Sequence, residues 1–271
     1  MPALGLNSTL GTTDWGAFIL ERLRTESALL KAGARYIAIT GKSMVVPRLL
    51  DDGSASWVDE LQEIPSDAPD ADTITLTPKK LGNVVTLSNE SIADAPVSEL
   101  DLVGNSLARS VAVAIDARVF STAVETAIAP PGLLTSMTAA VGPVSFDSII
   151  SAIGSIEAIG GTASVVFAHP NDVTSLRLIK DTGGRPLLQP DLRAAGAESI
   201  SGARVISTPS LPIGTVVICD PKQIILAVRK SVEVSFSAHS RFTADAVVAR
   251  VTARATWALN DARGVVKLAA A

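Results

Sequence analysis

The chain has 271 residues and a mass of 27.9 kDa, with 23 Lys and Arg against 27 Asp and Glu and a formal net charge of −4. Charged residues make up only 18%, below the roughly 25% of ordinary soluble domains, and the 47% hydrophobic content is mainly Ala, Val, Leu and Ile because aromatics reach only 4%. A chain of this length buries about 70–75% of its unfolded surface, which excludes disorder. The lone Cys219 excludes an internal disulfide and a cysteine-rich metal site, and the small negative charge argues against a dedicated nucleic-acid binder.

Low charge in so long a chain points to apolar surface covered by partners, so a subunit of an assembly is expected rather than a free monomer. Met1 to Asn7 lacks the basic start and apolar core of a signal peptide. The longest uncharged stretch, residues 126–146, is broken by Pro130, Pro131, Gly132, Gly142 and Pro143, and it reads as a linker rather than a membrane span. A cytosolic protein, or one assembled in the cytosol, is the expectation.

Residues 1–34 read as an arm with one helix, started by Asp14-Trp15-Gly16, striped by Phe18, Ile19 and Leu23, and stopped at Gly33. Tyr36–Ile39 and Met44–Pro47 read as strands, with Ser56-Trp57-Val58 leading a returning strand across an Asp51-Asp52-Gly53-Ser54 turn. This extended hairpin has little core of its own and is stable only when it lies on something else. The alternation in Thr73–Thr77 and Asn83–Leu87 predicts a second hairpin across Lys79-Lys80-Leu81-Gly82. After Pro96, Leu100, Val103, Leu107, Val111, Ile115 and Val119 recur at helical spacing. That predicts a helix continuing to near Ala127, roughly 45 Å long at 1.5 Å per residue.

Beyond the Pro/Gly linker, Phe146 to Ile159 predicts a helix ended by Gly160-Gly161. Ser164–Ala168 predicts a buried strand and Asn171 caps a short helix. Strands follow at 204–207, 216–218, 224–228 and 232–236, and a long one at 245–257. In the last, Val247, Val251, Ala253, Ala255 and Trp257 face one side, with Arg250, Thr252, Arg254 and Thr256 on the other. The pattern is α+β in two lobes with an arm and an extended hairpin.

Charge is unevenly spread. Between Arg48 and Lys79 there is no basic residue, while Asp51, Asp52, Asp59, Glu60, Glu63, Asp67, Asp70 and Asp72 fall there; beyond Arg177 basic residues outnumber acidic ones. A solvated acidic loop explains this, and so does complementary charge across a subunit interface.

No arrangement reads as an active site. Gly41-Lys42-Ser43 resembles the end of a phosphate-binding loop, but Tyr36 stands where the first glycine is needed and a strand follows. His169 has only Asp172 as a local candidate partner and reads as a structural hydrogen-bonder, and His239 lies in a polar turn. No spacing suggests metal ligands, and Cys219 reads as a small buried hydrophobe. The turn-rich loop Asp181–Pro190 reads as a surface turn or a contact loop. No catalytic, cofactor-binding or metal residue is expected, and no cofactor.

The run from His169-Pro170 through Leu176, Lys180-Asp181, Gly184-Arg185-Pro186-Leu187 and Gln189-Pro190 resembles the major capsid proteins of tailed bacteriophages. So do Ile200–Ile206, Pro209-Ser210-Leu211-Pro212, Asp220-Pro221, Val228-Arg229, Val232–Val234, Phe242, Asp245, and Arg250 with Arg254 before Trp257. These motifs cover about 165–268, and the order of elements before them covers the rest. The resemblance implies a shell subunit of the tailed-phage capsid fold: an N-terminal arm (1–34), an extended loop (35–78), a peripheral domain with the spine helix of about 97–128 (79–129 and 229–271), and an axial domain (130–228). It also implies pentamers and hexamers in an icosahedral head around double-stranded DNA, contacted loosely, with portal and decoration proteins as further partners.

Many such proteins begin with a charged scaffolding segment. This chain starts almost at the arm, so a separate scaffolding protein, or none, is expected. Some are joined by Lys–Asn bonds; Lys42 and Asn260 are present, with no local pattern marking them as a pair. Assembly contacts are expected at Asp51, Asp52, Glu60, Arg185, Arg250 and Arg254. The alternatives are an encapsulin-like compartment holding protein cargo and a soluble enzyme with an unrecognised site.

Overall fold

The computed structural model describes residues 26–51, 53, 55–63, 70–90, 98–180, 183–184, 188, 198–229 and 233–269. The helix expected near Asp14, the Asp52 and Ser54 turn positions and most of the 181–190 loop lie outside them.

The first described helix, α1 (Ala28–Ala32), is capped by Ser27 and closed by Gly33 in the left-handed region at φ 93°. Strands β1 (Arg35–Ile39), β2 (Met44–Asp51), β3 (Asp70–Leu76) and β4 (Lys79–Ser88) follow, then α2 (Ser98–Val119). The second half contributes β5 (Thr138–Val141), α3 (Phe146–Glu157), β6 (Val165–Ala168), α4 (Pro170–Leu178), β7 (Ser199–Ile200), β8 (Ala203–Ser207) and β9 (Thr215–Cys219). The chain ends with β10 (Ile224–Arg229), β11 (Glu233–Arg241), β12 (Ala246–Leu259) and β13 (Val265–Ala269).

Three sheets result. The first is built on β12, which pairs along one edge with β4 and along the other with β11 and then β10, while β1 lies parallel to β10. The second has the order β5-β13-β9-β6-β8-β7, and β2 and β3 form the third. On α2 the residues Leu107, Ala108, Val111, Ala112, Ile115 and Val119 are all buried, one stripe at the helical period. They pack on Ala249, Val251, Ala253, Ala255 and Trp257 of β12 and reach Phe167, Val217 and Val265 of the second sheet. The Phe120 and Phe167 rings meet at 5.0 Å, tying the end of α2 to β6. The other face of the second sheet, with Val166, Ala168, Val216 and Ile218, is covered by Ile149, Ile153 and Ile156 of α3 and by Val173 and Leu176 of α4. Burial on both faces explains why β6 reads as an unbroken apolar run.

Several expectations differ from what the chain does. Thr73–Thr77 and Asn83–Leu87 do not form a hairpin with each other, because β3 pairs with β2 and β4 with β12. Gly82 is not in a turn but lies inside β4, where a Cβ would stand 2.9 Å from the Val251 carbonyl oxygen, so a glycine suits the close approach to β12. Ser56-Trp57-Val58 is not a strand; β2 is answered by β3 after the intervening acidic segment, down to the Asp51–Asp70 pair.

The spine helix ends at Val119 rather than near Ala127. The Ser121 hydroxyl donates to the Arg118 carbonyl at 2.8 Å, and Arg118 donates to the carbonyls of Pro130 at 2.7 Å and Val124 at 2.8 Å, which folds the chain back over the helix end. The stretch read as a linker holds β5, which adds an edge strand parallel to β13. The short helix α4 is capped by His169, not Asn171: the His169 Nδ1 accepts from the Asn171 N–H at 3.1 Å with Pro170 in the first turn. β10, which crosses the expected boundary at 228 and runs to Arg229, joins the sheet under the spine helix, while β13, within 229–271, joins the second sheet.

Candidate functional site

The surface around the first sheet brings together three features: a hairpin, a bare sheet face and a cavity.

The β2–β3 hairpin stands on a small core of its own. Val46 and Leu76 are buried with Ile39, Ile225 and Ala227, and Ile37, Ile74 and Ala258 pack around them. Period-two alternation then turns Val45 and Leu49 outward, more than half exposed. Arg48 donates from Nη2 to Asp72 at 2.6 Å across the hairpin, and that guanidinium, with the Thr73 N–H, holds the Asp72 carboxyl below its ordinary range. Arg263 donates to the Leu50 carbonyl at 2.6 Å, tethering the hairpin to the last described turn of the chain. Arg263 also pairs with Asp261 at 3.0 Å. Partial burial would raise the Asp261 carboxyl, but the hydrogen bonds from Arg263 outweigh it and the net shift is downward. Beyond the paired strands the loop carries Trp57 and Leu61 with essentially their whole surfaces in solvent, beside Asp59, Glu60 and Glu63.

The bare face belongs to β12. The spine helix covers the side bearing Ala249, Val251, Ala253 and Ala255. Among the described residues, the opposite side is covered by the hairpin base only around Ile225, Ala227 and Ala258. Arg250 and Arg254 are exposed beyond that cover, and the antiparallel register sets Lys80 of β4 opposite Arg254 and Ser235 of β11 opposite Arg250. Arg250 reaches the Ser235 hydroxyl at 3.4 Å. Three cations thus share one uncovered stretch of sheet.

The cavity, of about 230 Å³, opens where the start of β4 meets α2 and the chain that folds back over it. Leu81, Ala114, Ile115, Ile128, Pro130 and Trp257 line it with an apolar surface, and Lys79 and Arg118 stand at its edge. Trp257 is held by its indole N–H, which donates to the Pro131 carbonyl at 2.6 Å. Lys79 pairs with Glu125 at 3.4 Å, leaving the rim positive on balance.

Of the residues expected to make assembly contacts, Arg250 and Arg254 are brought together on one face, and Glu60 lies exposed in the acidic loop. Asp51 closes β2; its side chain, and all of Asp52 and Arg185, lie outside the described residues. Sequence reasoning missed Lys80 as the third member of the basic face, because it had placed Lys79-Lys80 in a turn. It also missed the cavity and the exposure of Trp57. Among the remaining candidates, the Asp172 carboxylate accepts from the Gly214 N–H at 2.8 Å and is nine-tenths buried, while His169 caps α4, so each has a structural task. Asn260 donates from Nδ2 to Gln223 at 3.0 Å. Cys219 is fully buried, and burial, with Asp220 nearby, pushes its thiol pKa far up. Among the described residues no group of His, Cys, Asp and Glu could hold a metal ion. No helix there is long and apolar enough to cross a membrane.

A spine helix across one sheet, a second sheet with its own helices and a projecting hairpin is an architecture of shell subunits, and solved capsids share it. The chain superposes on the capsid of an empty GTA particle with a TM-score of 0.74 at 18% identity, covering 90% of each chain. It matches Microbacterium phage Oxtober96 with a TM-score of 0.72 at 18% identity over 91% of each chain, and Mycobacterium phage Bobi with 0.70 at 19% over 90% of each. Among curated proteins none matches it. Residues 10–270 match the phage capsid family, and the chain belongs to that family. It is a major capsid protein of the tailed-phage type, a structural component of the virion whose copies assemble into the shell.

Proposed function

We propose that this subunit forms pentamers and hexamers that close into an icosahedral head around double-stranded DNA, and that it works by assembly rather than catalysis. Its association is driven by many weak contacts multiplied over a closed shell. The observation that carries the reading is the division of charge: the hairpin segment between Arg48 and Lys79 contains acids and no bases, while Lys80, Arg250 and Arg254 share an uncovered face of the same subunit. One copy's hairpin rests on a neighbour's basic face, and opposite charge steers the approach and fixes register. Packaged DNA meets the shell through loose, salt-dependent phosphate contacts. The sheet under α2 serves as the peripheral unit and the second sheet as the axial unit around the capsomer axes. Assembly takes place in the host cytoplasm, with a separate scaffolding protein where one is needed, and portal and decoration proteins join the shell.

The test is purification of particles from expressing cells, followed by nuclease digestion and analysis of the contents. Nuclease-protected DNA in closed shells produced with the neighbouring genes supports the reading; shells that enclose a co-purifying enzyme instead place the chain with the protein-cargo compartments.

A further inference from the structure

Trp57 leaves essentially its whole indole in water, an arrangement that costs free energy in a free subunit and that nothing in the subunit's own fold requires. Leu61, four residues on, is equally bare and sits at a positive φ of 64°. Asp59, Glu60 and Glu63 surround the pair in sequence. The loop therefore presents an apolar knob in an acidic collar. The cavity between β4 and α2 has the converse form: an apolar lining that includes Trp257, with Lys79 and Arg118 at its edge. At about 230 Å³ it exceeds the roughly 150 Å³ that admits a benzene ring, so an indole fits.

We propose that Trp57 of one copy inserts into the Lys79–Arg118 cavity of a second copy. This inference rests on the shell reading above and names the occupant and the receptor within it. Trp57 cannot be filling its own subunit's cavity, because there it is exposed. In the second copy the indole meets the Trp257 ring and the cations at the rim, where aromatic and cation–π contacts add to the burial of apolar area. Asp59, Glu60 and Glu63 come to lie against Lys79 and Arg118 at the rim of the cavity. A buried aromatic anchor ringed by charged contacts is the arrangement in which a few residues carry most of an interface's affinity.

The test places cysteines beside the knob and at the rim, leaving Trp57 itself intact: V58C with I128C in the full chain, treated with a short bismaleimide after shells form. Val58 and Ile128 are both exposed, while Cys219 is buried and does not compete. A ladder of covalent multimers from the double variant, absent from each single variant, is the expected result. Shells visible by electron microscopy whose double variant stays monomeric on a denaturing gel overturn the docking and leave the shell reading standing. If the wild-type chain forms no shells, alone or with its neighbouring genes, the shell reading falls and the docking with it. Should the double variant not fold, W57A and the cavity-filling A114W replace it. Each is expected to raise the concentration needed for assembly about tenfold, and unchanged assembly by both overturns the proposal.

Discussion

Asp116, on the spine helix, accepts a hydrogen bond of 2.6 Å from the Ser27 hydroxyl, 89 positions away in the chain. Its second oxygen accepts from the Ala28 N–H, also at 2.6 Å. Asp116 and Ser27 are both nearly inaccessible to water. A carboxylate on the central helix thus caps the start of α1 and ties it to the spine.

Removing that carboxylate leaves two buried donors without a partner. D116A is expected to lose about 1–3 kcal/mol of stability, read by chemical denaturation. Protection of amides 28–34 in hydrogen exchange should fall more than that of the six-stranded sheet.

The same group sets a pH dependence whose sign is fixed by burial. Desolvation raises the Asp116 pKa above its ordinary 3.8, outweighing the lowering by Ser27, the Ala28 and Leu29 amides and Lys31. Because the folded state takes up the proton first, the stability of the wild type relative to D116N should rise as pH falls through the raised pKa. It should level off below the ordinary value. Asp72 and Asp261 shift the other way, but they are present in both proteins and cancel in the difference. A difference that shrinks with falling pH contradicts this account.

Gly132 stands where a Cβ would collide with the Ser121 backbone, at the point where the Gly132 N–H donates to the Ala123 carbonyl at 2.7 Å. G132A is expected to cost about 3 kcal/mol and to loosen the loop that frames the cavity. A melting temperature within 2 °C of wild type, a shift of roughly half a kcal/mol in a domain this size, would show that the loop relaxes freely.

Much of this architecture is legible in the sequence, and the parts that are not share a cause. The spine helix is read from Leu107, Val111, Ile115 and Val119 because helical period and burial coincide. The outward placement of Arg250 and Arg254 is read from strict alternation. Partners of strands are a different matter. Thr73–Thr77 and Asn83–Leu87 both alternate, but alternation states a face and not a neighbour, and β4 pairs with β12, more than 150 positions later. The helix end is set by Arg118 reaching the Pro130 and Val124 carbonyls, a tertiary contact that no capping signal announces. The cavity is assembled from β4, α2, β12 and the 128–130 segment, so it exists only once those elements are placed.

Charge reversal separates assembly from folding. D51K with D52K is expected to impair shell formation while the monomer stays folded. R250E with R254E should do the same from the other side of the contact. Sedimentation gives the shell yield and circular dichroism the fold; full shell yield from either double variant at low salt contradicts the proposed pairing.

Cys219 offers a check on the core. Its thiol is fully buried, with ionisation strongly disfavoured by that burial. It should resist a thiol reagent in the native subunit and react fully in denaturant. Rapid labelling under native conditions would mean that the junction between the two sheets opens.

The most direct test of the whole account is electron microscopy of the full-length protein, produced alone and with its neighbouring genes, across a range of salt concentrations. Closed shells, tubes, or rings of five and six subunits are the predicted result. A folded monomer that persists under every one of those conditions would contradict it.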